Sequence, residues 1–541
     1  MAYMTGAQAL AKSIIRNGVD TIFGIPGVQL YPFFDAVYHE KKSLITIHTR
    51  HEQGAAYMAF GYAQSTGRVG TFAVAPGPGL LNSSAALATA FGCGTPVLGV
   101  TGQIPSPFIG KAYGMLHEIS DQMGCVRAIT KWQARIDHPS DAPGVIQQAF
   151  VKLSSGRRQP VVIEMAPDVL AEEADVDISD SVGTYEDPEA DEDLIEKAAK
   201  LLGKAENPGI FVGGGIYGAE EDLLELAETI QAPVIMSQNG LGALGWDHYL
   251  AQNMIGGAEL WPRMDVCLAV GTRFQMPMMN WGKDDDIRMI RIDPDPKQSI
   301  ESWKPDVHIV TTGKKALKPL INRISRHNLR RPSRKEELNG IKSRVDDRLK
   351  EQIGPQHEFA GTIRKILPKD GIACMDLTQV GYYARVGFPV YKPRTIIQPG
   401  YQGSLGFSFP AALGAKYGNP EKEVICIVGD GGFMFNVQEL ATAVLHKINV
   451  VIILFNDDAF GNIKRTQEKM YEGRCIGVDL KNPDFMKLAD SFGILGFRAD
   501  TPDELGNALE KALKAQEPVL IEVKYKKFPE WLKSMPYAKL R

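Results

Sequence analysis

The chain has 541 residues, 60 Lys+Arg against 64 Asp+Glu, a net charge of −4 and 44% hydrophobic residues. That length supports about three or four domains, each able to bury its own core, and that charge excludes a general attraction to nucleic acid or anionic lipid. Six cysteines (Cys93, Cys125, Cys267, Cys374, Cys426, Cys475) lie far apart without a CxxC pair. They read as reduced thiols of a cytoplasmic protein. Apolar runs such as Val450–Phe455 fall well short of the ~20 residues of a membrane span.

In chain order, residues 1–20 place Lys12, Arg16 and Asp20 as on an amphipathic helix and lack the apolar stretch of a secretory signal. Short β-branched runs then alternate with helical patterns. Leu44–His48, Thr71–Ala75, Val97–Thr101 and Val161–Met165 read as strands of a first segment, 1–170. Gly209–Val212, Val234–Met236, Val266–Val270 and Met289–Ile292 do so in a second, 185–330. Ile372–Met375, Val424–Val428, Val450–Phe455 and Leu520–Val523 do so in a third, 355–541. An acidic stretch (168–193) and a basic-then-mixed stretch (323–352) read as solvated linkers or exposed helix faces between them. Continuous apolar strands separated by helices predict an α/β protein of three doubly wound parallel-sheet domains. Sites are then expected in the loops just after the strands.

The strongest chemical signal is Gly429-Asp430-Gly431-Gly432-Phe433, followed by Asn456-Asp457-Asp458-Ala459-Phe460-Gly461. Each block closes a strand, and the first opens a helix expected over Asn436–Lys447. A strand-helix-strand unit brings Asp430 and Asp457 to one sheet edge. Two carboxylates beside glycines at a helix start suit a hard divalent cation bridging to phosphate oxygens. No GxxxxGK[ST] loop occurs, and no Lys or Arg lies between 429 and 446, so the metal must supply most of the neutralisation.

These residues resemble the thiamine-diphosphate enzyme superfamily, whose fingerprint is GDG and then, about thirty residues on, two Asn. Here Asp457 replaces the second Asn, which keeps a metal oxygen but adds negative charge. The resemblance implies Mg²⁺ on Asp430, Asp457 and the carbonyl of Ala459, with Gly431 and Gly432 against the diphosphate. Arg50-His51-Glu52-Gln53-Gly54-Ala55-Ala56, between Phe23-Gly24-Ile25-Pro26-Gly27 and Pro76-Gly77-Pro78-Gly79-Leu80-Leu81-Asn82, resembles the pyrimidine-binding domain of the acetolactate synthase-like branch. Glu52 is then the activating carboxylate, hydrogen-bonded to the cofactor's pyrimidine and shielded by Ala55, Ala56 and Met58. Gln402-Gly403-Ser404-Leu405-Gly406-Phe407 resembles the family's GxMG block, with Leu405 as the wedge and the Gly403 carbonyl as acceptor. Pro26, Asn82 and Gly461 complete the implied cofactor contacts. The three segments become pyrimidine-binding, central and diphosphate-binding domains, and the half-sites belong to different chains, implying a homodimer at least and a tetramer as a further possibility.

The central segment carries Gly213-Gly214-Gly215-Ile216-Tyr217-Gly218, a GxGxxG match. It leaves an NAD-dependent dehydrogenase as an alternative, though Ser237-Gln238-Asn239 stands where an acid would be wanted. A noncatalytic regulatory paralogue is a second alternative, opposed by the intact Glu52 and metal block. Gly271-Thr272-Arg273-Phe274 and Ile292-Asp293-Pro294-Asp295 resemble FAD-holding places of some relatives, but the loop after Met236 diverges, which counts against FAD. On the substrate side, Leu116-His117-Glu118 stands where acetolactate synthases carry Phe-Gln-Glu. His117 is the candidate proton-transfer group, with Gln122 and Lys131 as weaker candidates. Those synthases follow their Gly-Ala-Arg-Phe block with two acids and an arginine that positions an anionic second substrate. This chain reads Gln275-Met276-Pro277 there. The expectation is C–C bond cleavage or formation on a small 2-oxo acid or 2-hydroxyacyl substrate, as decarboxylase, lyase or carboligase, without true acetolactate synthase activity. Neither a nucleic acid nor a membrane is an expected partner.

Overall fold

Apolar strands that alternate with helices settle here into three six-stranded sheets, every neighbouring pair parallel. The computed structural model describes residues 1–296, 303–328, 330–525, 528–529 and 539–541. Residues 530–538 of the expected third segment therefore lie outside the described residues. The strands are β1 (Ala2–Thr5), β2 (Thr21–Gly24), β3 (Ile45–His48), β4 (Gly70–Val74), β5 (Val97–Gly102), β6 (Trp132–Ile136), β7 (Val161–Met165) and β8 (Glu173–Val176). They continue as β9 (Pro208–Val212), β10 (Val234–Met236), β11 (Ala251–Gln252), β12 (Val266–Val270), β13 (Arg288–Ile292) and β14 (Val307–Ile309). The last are β15 (Ile372–Met375), β16 (Ile396–Ile397), β17 (Val424–Gly429), β18 (Val451–Asn456), β19 (Leu495–Ala499) and β20 (Val519–Lys524).

The sheet orders are β3-β2-β4-β5-β7-β6, β11-β10-β9-β12-β13-β14 and β16-β15-β17-β18-β20-β19. In each, the strand order reverses at a central pair, and loops on the two sides of that pair part to leave a crevice. The crevices fall between the loops after β2 and β4, after β9 and β12, and after β15 and β17. The α/β, three-sheet class expected from the sequence is the one observed.

The acidic stretch is less of a linker than expected. It opens with helix Pro167–Ala171, and β8 then pairs antiparallel with β1, Ala2 against Val176 and Thr5 against Glu173. Residues 335–366 form one long helix with a break at Ile353.

Period-2 alternation explains how the third sheet sits between the other two domains. Ile425, Ile427, Val451 and Ile453 join a core shared with the central domain. Val424, Cys426, Val428, Ile452 and Leu454 join a core shared with the first domain. The first-domain partner is α1 (Glu52–Thr66), which crosses α2 (Ser408–Gly418) at backbone distance. A Cβ on Gly61 would collide with the Ala411 carbonyl, and one on Gly414 with the Met58 carbonyl. Only glycine lets the two helices approach so closely. No helix among the described residues is long and apolar enough to cross a membrane.

Candidate active site

In the first domain, β3 ends at His48 and α1 begins at Glu52. His51 caps the helix through Nδ1, which accepts from Gln53 N at 3.1 Å. The loop after β4 turns through Gly77 (φ +63) into the short helix Pro78–Asn82. Asn82 Nδ2 donates to Glu52 Oε2 at 3.0 Å, so the structure brings together two of the residues that the sequence singles out separately. Ala55, Ala56 and Met58 are buried, but their side chains serve the core, and Glu52 itself stands half exposed at the helix start. Those three side chains are therefore committed to the core and not to shielding the carboxylate. Pro26 is exposed just beyond β2, on the same edge.

His117 lies on a loop over this turn, with φ +68. Its Nδ1 is 2.7 Å from Gln29 Oε1, and Gln29 Nε2 donates to the Leu116 carbonyl at 2.6 Å. A Cβ on Gly77 would come within 2.7 Å of the His117 carbonyl, so the loop rests directly on the turn.

Two substrate-side expectations change. Gln122 is buried; its Oε1 accepts from Gly77 N at 2.7 Å, and its Nε2 donates to Gly102 O at 2.9 Å and Glu164 Oε2 at 2.8 Å. Its amide is committed inward and holds the turn rather than meeting a substrate. Lys131 donates to the carbonyls of Lys152 (2.8 Å) and Arg157 (3.0 Å), caging a loop away from the site. Burial pushes its ammonium down to about 8.

In the third domain the register pairs Gly429 with Phe455, so Asp430 and Asp457 emerge from neighbouring strands at one edge. The helix expected over Asn436–Lys447 is instead a short turn of helix at Asp430–Phe433, a 3₁₀ turn at Val437–Glu439 and a helix at Leu440–Leu445. Burial raises the Asp430 carboxyl above the usual carboxylate range. Burial, and then the Asp430 charge, pushes Asp457 up to about 6. Asn482 Nδ2 donates to Asp430 Oδ2 at 2.6 Å and to Asn456 Oδ1 at 3.1 Å. The turn after β18 has Asp458 at φ +54 and is laced to the following segment by Leu480 N to Asp458 O (2.8 Å) and Phe460 N to Val478 O (2.8 Å). A Cβ on Gly461 would strike the Asp457 carboxylate.

These residues fit a cation and a diphosphate. Among the described residues no cluster of three or more His, Cys, Asp or Glu gathers to hold a metal. Two carboxylates at one edge therefore need carbonyl or phosphate oxygens to complete a hard-cation shell, and the Ala459 carbonyl and a diphosphate are of that kind. Gly431 and Gly432 form a tight cradle. A Cβ on the first would reach the Phe460 ring (2.6 Å), and one on the second Asp376 Oδ2 (3.0 Å).

Asp376 was missed in the sequence because a lone Asp carries no motif. It follows β15 across the crevice from Asp430. It is buried and accepts from Leu377 N (2.7 Å), Gly406 N (2.8 Å) and Ser408 Oγ (3.2 Å), and burial pushes it up to about 6. It thereby fixes the turn in which Gly403 (φ +61) and Gly406 (φ +76) flank the half-exposed Leu405. The topological crevice was the signal that could have found it.

In the central domain the GxGxxG glycines serve packing. A Cβ on Gly213 would collide with the Gly271 carbonyl, and one on Gly215 would lie 2.7 Å from Gly271 Cα. The run makes a 3₁₀ turn, Gly214–Ile216, and the next helix, Glu220–Ile230, starts with Glu220, Glu221 and Asp222. Three acids at a helix start repel phosphate, which removes the dinucleotide-fingerprint reading of this run. A cavity of about 650 Å³ nevertheless opens beside these loops, lined among others by Gly214, Arg157, Arg273, Met276 and Met279. The divergent residues Ser237, Gln238 and Asn239 line it without closing it.

The first crevice thus gathers Glu52 with Asn82, and the third gathers Asp430 and Asp457 beside close-packed glycines, on one three-sheet scaffold. Family models agree: thiamine pyrophosphate enzyme, N-terminal TPP binding domain, matches residues 4–125, the central domain 195–320 and the C-terminal TPP binding domain 376–523. The chain belongs to the thiamine pyrophosphate enzyme family and is a thiamine-diphosphate-dependent enzyme. It is 34% identical to a probable acetolactate synthase large subunit of Methanocaldococcus jannaschii, over 96% of this chain and 92% of that protein. It is 31% identical to the acetolactate synthase isozyme 3 large subunit of Escherichia coli, over 95% and 93%. It is also 31% identical to a probable 2-ketoarginine decarboxylase of Pseudomonas aeruginosa, over 96% and 94%.

Proposed function

We propose that the chain cleaves or forms a C–C bond beside the carbonyl of a 2-oxo acid or 2-hydroxyacyl substrate, using thiamine diphosphate and Mg²⁺, as a decarboxylase, lyase or carboligase. The observation that carries this reading is the Glu52–Asn82 pair on the first sheet's edge, matched by Asp430 and Asp457 on the third's. Asp430, Asp457 and the Ala459 carbonyl would hold the metal, with Gly431, Gly432 and Gly461 close to the diphosphate. Pro26, Asn82, Gly403 and Leu405 would face the ring system. When bound, the cofactor supplies the electron sink that such bond changes require. Asn82 engages Oε2 of Glu52 and leaves Oε1 to carry the proton shared with the pyrimidine ring. His117, held by Gln29, would move protons on the substrate side.

Relatives named both as synthases and as a decarboxylase support the reaction class and leave the acceptor open. A homodimer is the minimal unit in this reading, with a tetramer as a further assembly. Exposed Leu81, Leu116, Met434, Phe435 and Leu445 give it apolar surface to bury. Six free cysteines suit a reducing, cytoplasmic setting. No nucleotide is assigned to the central cavity in this reading; FAD there would colour the purified protein yellow.

The test is Glu52→Gln. Cofactor binding should persist while exchange of the cofactor's C2 proton slows at least ~10²-fold, the usual scale of acid–base assistance. Unchanged exchange would remove Glu52 from the chemistry.

A further inference from the structure

Nine residues beyond Asp430 in sequence, a fully buried carboxylate reaches across to the other half-site. Glu439 is 0% exposed and sits at the end of the 3₁₀ turn Val437–Glu439. Both its oxygens accept from Arg50 N at 3.2 Å, and Oε1 also accepts from His51 N at 3.0 Å. Thr442 Oγ1 donates to Oε2 at 2.6 Å. A buried carboxylate has about four lone-pair sites, and these donors supply what water would have given. Desolvation makes it a weaker acid, its pKa raised above the ordinary glutamate value.

The donors identify the purpose. Arg50 and His51 are the two residues before Glu52, so the third domain grips the turn that decides where α1 begins. The fit is tight: a Cβ on Gly54, in the first turn of α1, would collide with the Glu439 carboxylate. Three residues earlier, Asn436 Nδ2 donates to Gly406 O at 2.8 Å and to Gln53 Oε1 at 3.4 Å. One short stretch, 436–442, therefore holds both the turn before Glu52 and the turn that carries Leu405.

We propose that Glu439 is a positioning residue for Glu52, setting the start of α1 from the opposite domain; this rests on the reading of Glu52 as the proton-bearing carboxylate. An amide at 439 cannot reproduce the arrangement. It keeps the size, but one of its two acceptors becomes a donor facing donors. A displaced α1 start would carry Glu52 with it, and a shift of about 1 Å in a reacting group can cost ~10²-fold in rate.

The test uses Glu439→Gln and Gly54→Ala in the full chain. Gly54→Ala keeps the carboxylate but pushes it aside, and alanine is the better helix former, so it carries the test should Glu439→Gln not fold. In cofactor-free protein, backbone amide exchange at Arg50 and His51 should be at least ~10-fold faster in both variants, as for a locally loosened turn. In holoenzyme, C2 proton exchange should slow at least ~10-fold while thiamine diphosphate affinity changes less than ~3-fold, a split expected of misplacement and not of general unfolding. Amides that stay protected, or C2 exchange that stays at the wild-type rate while Glu52→Gln slows it, would overturn the proposal. Should Glu52→Gln leave C2 exchange unchanged, the underlying reading fails instead, whatever the amides do.

Discussion

Asp376 is a carboxylate with three donors and almost no access to water, and that combination has a sign. Its folded-state value of about 6 lies above the ordinary 3.8. The folded form therefore favours the protonated acid. Its contribution to stability is fully present below pH 3.8 and is lost as pH rises through 6. The loss is at most about 3 kcal/mol, from ~1.4 kcal/mol per unit. Asp376→Asn imitates the protonated acid at every pH. Relative to wild type, the cofactor-free variant should gain unfolding free energy in urea between pH 4 and pH 7.5. Identical pH dependence in the two proteins would show that Asp376 is not the titrating group. The same residue shows what single-residue reading misses. Glu52, Asp430 and Asp457 were legible because each sits in a run whose other members narrow its chemistry. Asp376 and Glu439 stand in plain sequence, and only partners 30 and 389 positions away define them. Gln122 and Lys131 failed in the opposite way, since their types suit a pocket while the amide of the first is spent on Gly77, Gly102 and Glu164 and the ammonium of the second on carbonyls of a distant loop.

Strands were the most legible elements, because continuous β-branched runs between helices have few other uses. The expected Val424–Val428 and Val450–Phe455 differ from β17 and β18 by a residue at their ends. Helix Asn436–Lys447 was less legible. Its pattern gives no sign that Asn436 and Glu439 would be recruited by the first domain, which breaks the first turn into 3₁₀ geometry. The α1–α2 crossing was illegible too, because a glycine within a helix pattern does not announce its neighbour. It yields a paired prediction with opposite signs. Gly61→Ala forces a methyl into the Ala411 carbonyl and should destabilise by at least about 1–3 kcal/mol, the range for overpacking. Gly361→Ala, in the long helix 335–366 with nothing within 4 Å of the added methyl, should stabilise by about 0.5–1 kcal/mol through helix propensity. Urea midpoints of the two variants report both. Shifts of the same sign would mean that the crossing is looser than its geometry.

At the scale of the whole molecule, the proposed function assigns the cofactor to the first and third crevices, and under that proposal the segment after β12 bears on the choice of acceptor. Residues 277–281 wind into a single π-turn headed by Pro277. Trp281 is fully buried against Phe211 and Trp261, and Met278 packs on the same core, so both serve structure. Met279 lines the 650 Å³ cavity, as does Met276, which also packs against that core, with Gln275 and Pro277 beside them. From Phe274 to Trp281 the chain offers no cation. Arg273, the nearest one in sequence, is committed: it donates to Gly92 O at 3.0 Å and lies 4.4 Å over the Tyr401 ring. This segment therefore offers an anionic acceptor such as pyruvate no charge-assisted contact, a contact worth roughly 1.5–3 kcal/mol or about 10–150-fold in affinity. The other cations of the cavity, Arg157, Arg158, Lys314, Arg385 and Arg394, lie outside this segment. A neutral or apolar acceptor would meet two thioethers at no such loss. The chain is expected to activate a 2-oxo acid or 2-hydroxyacyl compound, to make acetolactate poorly, and to favour a neutral acceptor or release of the aldehyde. A matrix of 2-oxo acids, aldehydes and acyl thioesters, with products read by mass spectrometry, measures this directly. Acetolactate formed from pyruvate alone with KM below about 1 mM and turnover above ~10 s⁻¹, ordinary enzyme values, would refute it.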